Sequence, residues 1–418
     1  MVLRSDELRI TIAKKLTSGS ELLLLGTVLV AFFLVIFQAP AVFLKVGQFS
    51  LSVYATITAA TLLVASSGLQ IAAVLFASKI SFSHNSPRDL FQRLRVLSPL
   101  ILLTFFAAIW LLAMWRLEGA QNLLALIILV FGIFAFSLQG SSRRQETVVC
   151  LFLWVSGVVS VVFVIFTVFE LPGFANRQFA MIMLIPLSIA AVRKEKNWFD
   201  LVSPFLFSFA ILLSQSRTAA VIAVILVAVH VFLSTRKTPK KFWGPFFAAS
   251  AAITLMVLAF FGPRILESFI GIETGVEDRE LLGTSGRLRA WTEFLSLLDH
   301  PFAWFIGIGT GGSMRYGAES IAFFPHPHNE YLRFLVDLGI VGLLLLIAGS
   351  LALLIVFGRD WKHDRPLTRA GFLLIFALGL MSTTDGPLYS SFVIVPSAMI
   401  LGFGLGEALR NPRPEALT

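Results

Sequence analysis

The sequence predicts an all-α polytopic membrane protein, and three observations carry that prediction. First, 57% of the 418 residues are hydrophobic and 14% are charged. A soluble domain holds about 45–50% apolar and about 25% charged residues, so too little polar surface remains to cover a soluble body. Second, the apolar residues fall in runs, and a helix needs about 20 of them to cross a bilayer. Twelve such runs lie near 21–40, 50–78, 98–115, 121–140, 147–169, 179–192, 199–214, 218–235, 242–261, 329–357, 370–384 and 388–408. Third, the basic residues sit in the short segments between runs. With the N-terminus in the cytosol, 23 of the 33 Lys and Arg fall inside, nine fall outside, and Arg333 lies in the tenth run. That bias is the one that orients membrane proteins, and it puts both termini in the cytosol.

Taken in order, residues 1–20 carry Arg4, Arg9, Lys14 and Lys15. They read as the start of a retained first helix, because a cleaved leader would end in a small-residue site after a short core. The second run is overlong, and its polar "SSGLQ" (66–70) predicts a bend or break. The sixth run is short. The tenth is long enough that its first turns are expected to stand above the membrane. The chain therefore divides into nine helices over 1–261, a long external loop over 262–328, and three helices with a short cytosolic tail over 329–418. Ten of the thirty glycines fall in that loop. Loops this long are functional or disordered, and Trp291 and Trp304 argue for an ordered one. Within it "TSGRLRAWTEFLSLL" reads as an amphipathic helix that Thr284 or Ser285 can cap. Leu288, Trp291, Leu295 and Leu298 are expected to share its apolar face.

Composition also excludes several functions. The net charge of +9 is spread over topology-setting loops, so it marks no nucleic-acid groove. The single cysteine, Cys150, permits no disulfide within the chain and no cysteine metal site. The glycine cluster "GIGTGG" (307–312) lacks the Lys-Ser/Thr of a phosphate loop and follows no strand.

The candidate functional residues gather on the external side. Arg217 in "SQSRTAAV" lies between two apolar runs, where a charge is costly and marks a functional site by default. Ser214, Ser216 and Thr218 make the spot a polar pocket. Arg287 and Arg289 cannot face one way on a helix. Arg289 has a helix partner in Glu293 at i, i+4, whereas Arg287 sits in the first turn, where the helix end favours an anion. His326 and His328 flank Pro327 at the mouth of the tenth run, with Asn329 as a helix cap. An H-P-H pair with no acidic third ligand is a poor zinc signature, so no metal site is expected. Acid–base chemistry suits these imidazoles better, against the plainer reading of solvated residues at a helix start. Glu330, Arg333 and Asp337 have the spacing of an ion-pair ladder on one helix face. Asp385 in "STTDGPLY" is either a turn residue or a member of the site.

Three patterns together resemble the O-antigen ligase and polymerase superfamily. They are "SRTA" around Arg217; "SGRLRAW…HPFAWFIGIGTGG", similar to a G-R-x-x-x-W followed by a P-x-x-G-x-G-like segment with a slightly longer Pro301-to-Gly307 spacing; and "HNEYLRFLVDLGIVG", which is similar to H-N, nine residues, then G-x-x-G. The resemblance covers roughly residues 200–400 by motif and the whole chain by helix count.

The resemblance implies a fold of the membrane-embedded glycosyltransferase C class. It further implies transfer of a glycan from an undecaprenyl-pyrophosphate carrier to an acceptor on the outer face of a bacterial inner membrane. Arg217 and Arg287, with Arg289 beside them, would grip the pyrophosphate as a fork and neutralise the leaving group. His328 would be the general base on the acceptor hydroxyl, with inversion at the anomeric carbon, and His326, Asn329 and Asp385 would support it. No cofactor is called for. The acceptor is lipid A core or another glycan. Ligase is the first expectation, with polymerase and protein oligosaccharyltransferase as alternatives within the family. A secondary transporter is more distant, since no internal repeat is visible.

Overall fold

Eleven of the twelve apolar runs coincide with helices in a computed structural model of the chain, which describes residues 5–36, 45–46, 49–77, 87–114, 116–139, 142–169, 171, 174, 176–193, 198–235, 287–320 and 326–410. The first eight helices are α1 (Ser5–Ile36), α2 (Leu51–Ala77), α3 (Pro87–Ala113), α4 (Leu117–Ser137), α5 (Ser142–Val168), α6 (Asn176–Ala190), α7 (Trp198–Leu213) and α8 (Arg217–Thr235). Three short helices follow, α9 (Arg287–Leu295), α10 (Pro301–Ile306) and α11 (Gly312–Ser320). The bundle closes with α12 (Glu330–Arg359), α13 (Pro366–Met381) and α14 (Ser391–Ala408). Two two-residue strands, β1 (Lys45–Val46) and β2 (Phe49–Ser50), pair antiparallel before α2. Among the described residues seven helices are long and apolar enough to cross a membrane (α1–α5, α12 and α14), and α7, α8 and α13 are shorter apolar helices. The chain is an all-α polytopic membrane protein. The ninth run, 242–261, lies outside the described residues, as do loop residues 262–286 with the expected caps Thr284 and Ser285.

The expected break at "SSGLQ" does not form. α2 runs unbroken through it, and its two serines find hydrogen-bond partners. Ser66 Oγ shares a hydrogen bond with Ser20 Oγ of α1 at 2.8 Å. Ser67 Oγ donates to its own helix at Leu63 O, 2.8 Å, and lies 3.3 Å from Phe131 O of α4. In an apolar medium such bonds join helices where a bend was expected.

α4 packs along α14 through small residues. A Cβ on Gly132 would lie 2.7 Å from Ala398 Cβ, and one on Gly402 would lie 2.6 Å from Phe136 Cβ. Missing side chains let the two backbones approach closely, as at many membrane helix contacts.

α12 is broken at Gly339 (φ 66°, ψ −171°). A break deprives the carbonyls one turn earlier of their helical partners. Here the glycine segment supplies replacements: Ile308 N–H donates to Val336 O at 2.9 Å and Gly309 N–H to Asp337 O at 3.0 Å. A Cβ on Gly339 would collide with the Phe305 carbonyl, and one on Gly307 (φ 80°) with the Asp337 carbonyl. Irregular backbone at membrane depth is tolerated when it is buried in protein and satisfied this way. The Asp337 carboxylate completes the joint. It accepts from Gly311 N–H at 3.0 Å, Ser313 N–H at 2.8 Å and Asn122 Nδ2 at 3.4 Å. The expected ladder is thus realised only between Glu330 and Arg333; Asp337 serves the glycine segment instead.

α9 lies against the first half of α12. Its buried face is centred on Ala290 and Phe294, with Leu298 just beyond its end, packed with Leu332 and Val336. Trp291 and Leu295 flank this face and are only partly buried. That face is turned by about one residue from the expected Leu288–Trp291–Leu295–Leu298 stripe; Leu298 is buried as expected, carried inward by the turn after Leu295. The Leu288 side chain is outside the described set.

Candidate functional site

The start of α12 is fixed from three directions. Asn329 caps the helix, its side chain accepting from Leu332 N–H at 3.0 Å. Glu330 N–H donates to Ser382 O at 2.9 Å, and Tyr331 Oη donates to Gly379 O at 2.9 Å, so the helix start is tied to the end of α13. Trp291 Nε1 donates to Pro327 O at 2.8 Å, tying in α9.

Between these ties the chain turns sharply. His328 adopts φ 48°, a left-handed conformation rare for residues other than glycine. The turn brings the His326 and His328 rings to 3.8 Å between centroids, and the Tyr389 ring to 5.8 Å from His326. A cleft enclosing about 220 Å³ of empty space, open solvent included, is lined by Met314, the two histidines, Arg333, Gly386 and Tyr389 among others.

Asp385 is a member of this site. Its Oδ1 lies 3.5 Å from His328 Nδ1 and accepts from Gly386 N–H at 3.0 Å. Its Oδ2 lies 3.5 Å from Arg177 Nε. Burial alone would raise this carboxyl, but His328, Arg177 and the Gly386 N–H outweigh it and hold Asp385 below its ordinary value. A carboxylate at Asp385 can accept from the Nδ1–H tautomer of the His328 ring, in which Nε2 is the free acceptor nitrogen. At 3.5 Å this contact is long for a hydrogen bond.

His326 behaves differently. Its Nδ1 is buried with no hydrogen-bond partner among the described residues. Burial is the main cause, and with the neighbouring His328, Arg177 and Arg333 it outweighs the pull of Asp385 and lowers the pKa of His326 to about 4. It stays neutral near pH 7. Burial likewise raises the Tyr389 hydroxyl above its usual value.

Arg217 opens α8 after a tight turn in which Gln215 takes φ 60°. Ser214 serves that turn, donating to Ile211 O at 2.6 Å. Thr384 Oγ1 donates to Thr218 Oγ1 at 2.7 Å, so the Arg217 turn is bonded to the residue preceding Asp385. The structure therefore gathers His326, His328, Asn329 and Asp385, with the Arg217 turn beside them. Arg287 and Arg289 lie in the first turn of α9, which docks through Trp291; their side chains are outside the described set.

Sequence reasoning missed Arg177 and Tyr389. Arg177 is one of the nine basic residues on the external side, and its place at the start of the sixth apolar run is its one local signal. Tyr389 stands four residues after Asp385 in the same turn.

Residues 202–347 match the family model described as O-antigen ligase. Over that segment, 146 of the 418 residues, the chain is similar to O-antigen ligases. The matched segment takes in Arg217, Arg287, Arg289, His326, His328 and Asn329, and stops before Asp385. The match supports the O-antigen ligase and polymerase family, whose members are glycosyltransferase-like enzymes acting on lipid-linked glycans in a membrane setting. No curated protein matches the chain.

Proposed function

We propose that this protein transfers a glycan from an undecaprenyl-pyrophosphate carrier to an acceptor hydroxyl at the periplasmic face of the inner membrane, and that it is an O-antigen ligase acting on lipid A core. The observation that carries this reading is the His328–Asp385 pair at the mouth of a membrane helix, in a cleft lined by both histidines. A base is needed there because the acceptor hydroxyl must lose its proton as it attacks the anomeric carbon. The leaving group is a lipid pyrophosphate and needs charge neutralisation more than protonation. Arg217 supplies that charge, with Arg287 and Arg289, through the two-pronged grip that guanidinium offers phosphate. Attack is direct and inverts the anomeric centre. The border between membrane and water suits the reaction, since the donor has an apolar tail and a polar head.

The experiment that tests this reading is glycan analysis of a strain lacking the gene, beside an assay of the purified protein in EDTA. Ligase activity predicts carrier-linked polysaccharide with none attached to lipid A core, and full metal-free turnover. A single repeat unit on the core would instead mean a polymerase. Activity abolished by EDTA and restored by magnesium would overturn the arginine-based mechanism.

A further inference from the structure

We propose that Arg177 is a positioning residue for this transfer, holding the Asp385 carboxylate that in turn orients His328. The inference rests on the reading of His328 as the base.

Arg177 lies in the first turn of α6, a helix that packs against both α13 and α14. Asp385 lies in the turn between those two helices. The two carboxylate oxygens are divided: Oδ1 faces His328 Nδ1 and Oδ2 faces Arg177 Nε, each at 3.5 Å. The Asp385 side chain is only 8% exposed. A carboxylate so buried is costly unless paired. Without a permanent cation, Asp385 and His328 would share a proton, and His328 could sit in either tautomer. A tautomer presenting Nε2–H to the acceptor cannot take a proton from it. Arg177 is always charged, so it keeps Asp385 an acceptor and makes Nδ1–H the favoured tautomer. The low pKa of Asp385, to which Arg177 contributes, is consistent with this role.

The Arg177 side chain is itself half exposed (50%). Removing it therefore admits solvent in place of a buried cavity, and the folded protein should tolerate the change. The same exposure admits a rival role, a direct grip on donor phosphate, which the kinetics separate.

The test compares wild type, Arg177→Gln, Arg177→Lys, Asp385→Asn, the Arg177→Gln/Asp385→Asn pair and His328→Ala, with an undecaprenyl-pyrophosphate oligosaccharide as donor. Arg177→Gln should lower kcat by roughly tenfold or more with donor KM nearly unchanged. Lysine should restore part of the rate. On top of Asp385→Asn, removing Arg177 should cost less than about twofold, because residues acting through one another are non-additive. A raised donor KM at unchanged kcat would mean phosphate grip, and would overturn the inference. So would effects that multiply in full, or a wild-type rate in Arg177→Gln. Should the Gln variant fail to purify, Arg177→Lys with and without Asp385→Asn makes the same comparison. Normal transfer by His328→Ala would defeat the base reading itself; an inactive His328→Ala with any of the other contrary results defeats only the role of Arg177.

Discussion

His328 holds a backbone conformation that costs a non-glycine residue on the order of 1–3 kcal/mol. The ties on either side, Trp291 to Pro327 and the Asn329 cap, offset that cost. Beside it, His326 gives a pH signature. Its folded pKa of about 4 lies below the 6.5 of a free imidazole, so the unfolded segment takes up the proton first as pH falls. The stability it contributes is complete above about pH 6.5 and is lost progressively between 6.5 and 4. The melting temperature of purified protein should drop from pH 7 to pH 5, and His326→Gln should flatten that slope; an unchanged slope in the variant would contradict the assignment. The arginines make a second residue-scale prediction. Arg217→Ala and Arg287→Ala should each weaken donor binding and abolish transfer, and lysine should rescue only in part because it lacks the fork. Arg289→Ala should be milder. Equilibrium binding of a labelled donor to each variant checks this, and an essential Arg289 with a dispensable Arg287 would reverse the ranking. The histidines, Asn329 and Asp385 were legible in the sequence because unusual polar residues stood at the ends of apolar runs. Arg177 was not, because its partner lies over two hundred residues away and nothing local marks the pairing.

The element that shapes the site is the broken α12. Gly307 and Gly339 face each other with positive φ, and each would drive a Cβ into the other segment's backbone. Gly339→Ala should therefore cost about 1–3 kcal/mol in conformation alone, plus the collision, and should lower activity by displacing the helix start that carries His328. Thermal unfolding and transfer assays on Gly339→Ala and on an exposed control, Gly358→Ala, which has more room, test this. Equal stability of the two would show that the break is not required. Hydropathy revealed the helix here but not the break. It smooths over one glycine in an apolar run, and the replacement hydrogen bonds come from a segment that in sequence looked like a weak phosphate loop. The same blindness explains the wrong expectation at "SSGLQ", where Ser20 and Phe131, each in another helix, satisfy what seemed a disruption.

At the scale of the whole molecule, the proposal requires that α9 and the histidines face outward. Single cysteines at Ser296 and Lys362, both exposed, in a background lacking Cys150, should react differently with an impermeant reagent on intact cells: Ser296→Cys labels and Lys362→Cys does not. The reverse pattern would invert the molecule. Eleven of the apolar runs were readable as helices because each run is a local composition, whereas the way the helices meet depends on contacts between distant glycines and serines. The proposed mechanism separates donor grip from proton removal within one site at the membrane border. It is tested most directly by measuring donor affinity and transfer rate together on purified His328→Ala. A general base contributes about 10²- to 10⁴-fold to rate, so transfer should fall by that factor while donor affinity stays at the wild-type value; undiminished transfer, or donor binding lost in step with it, would contradict the account.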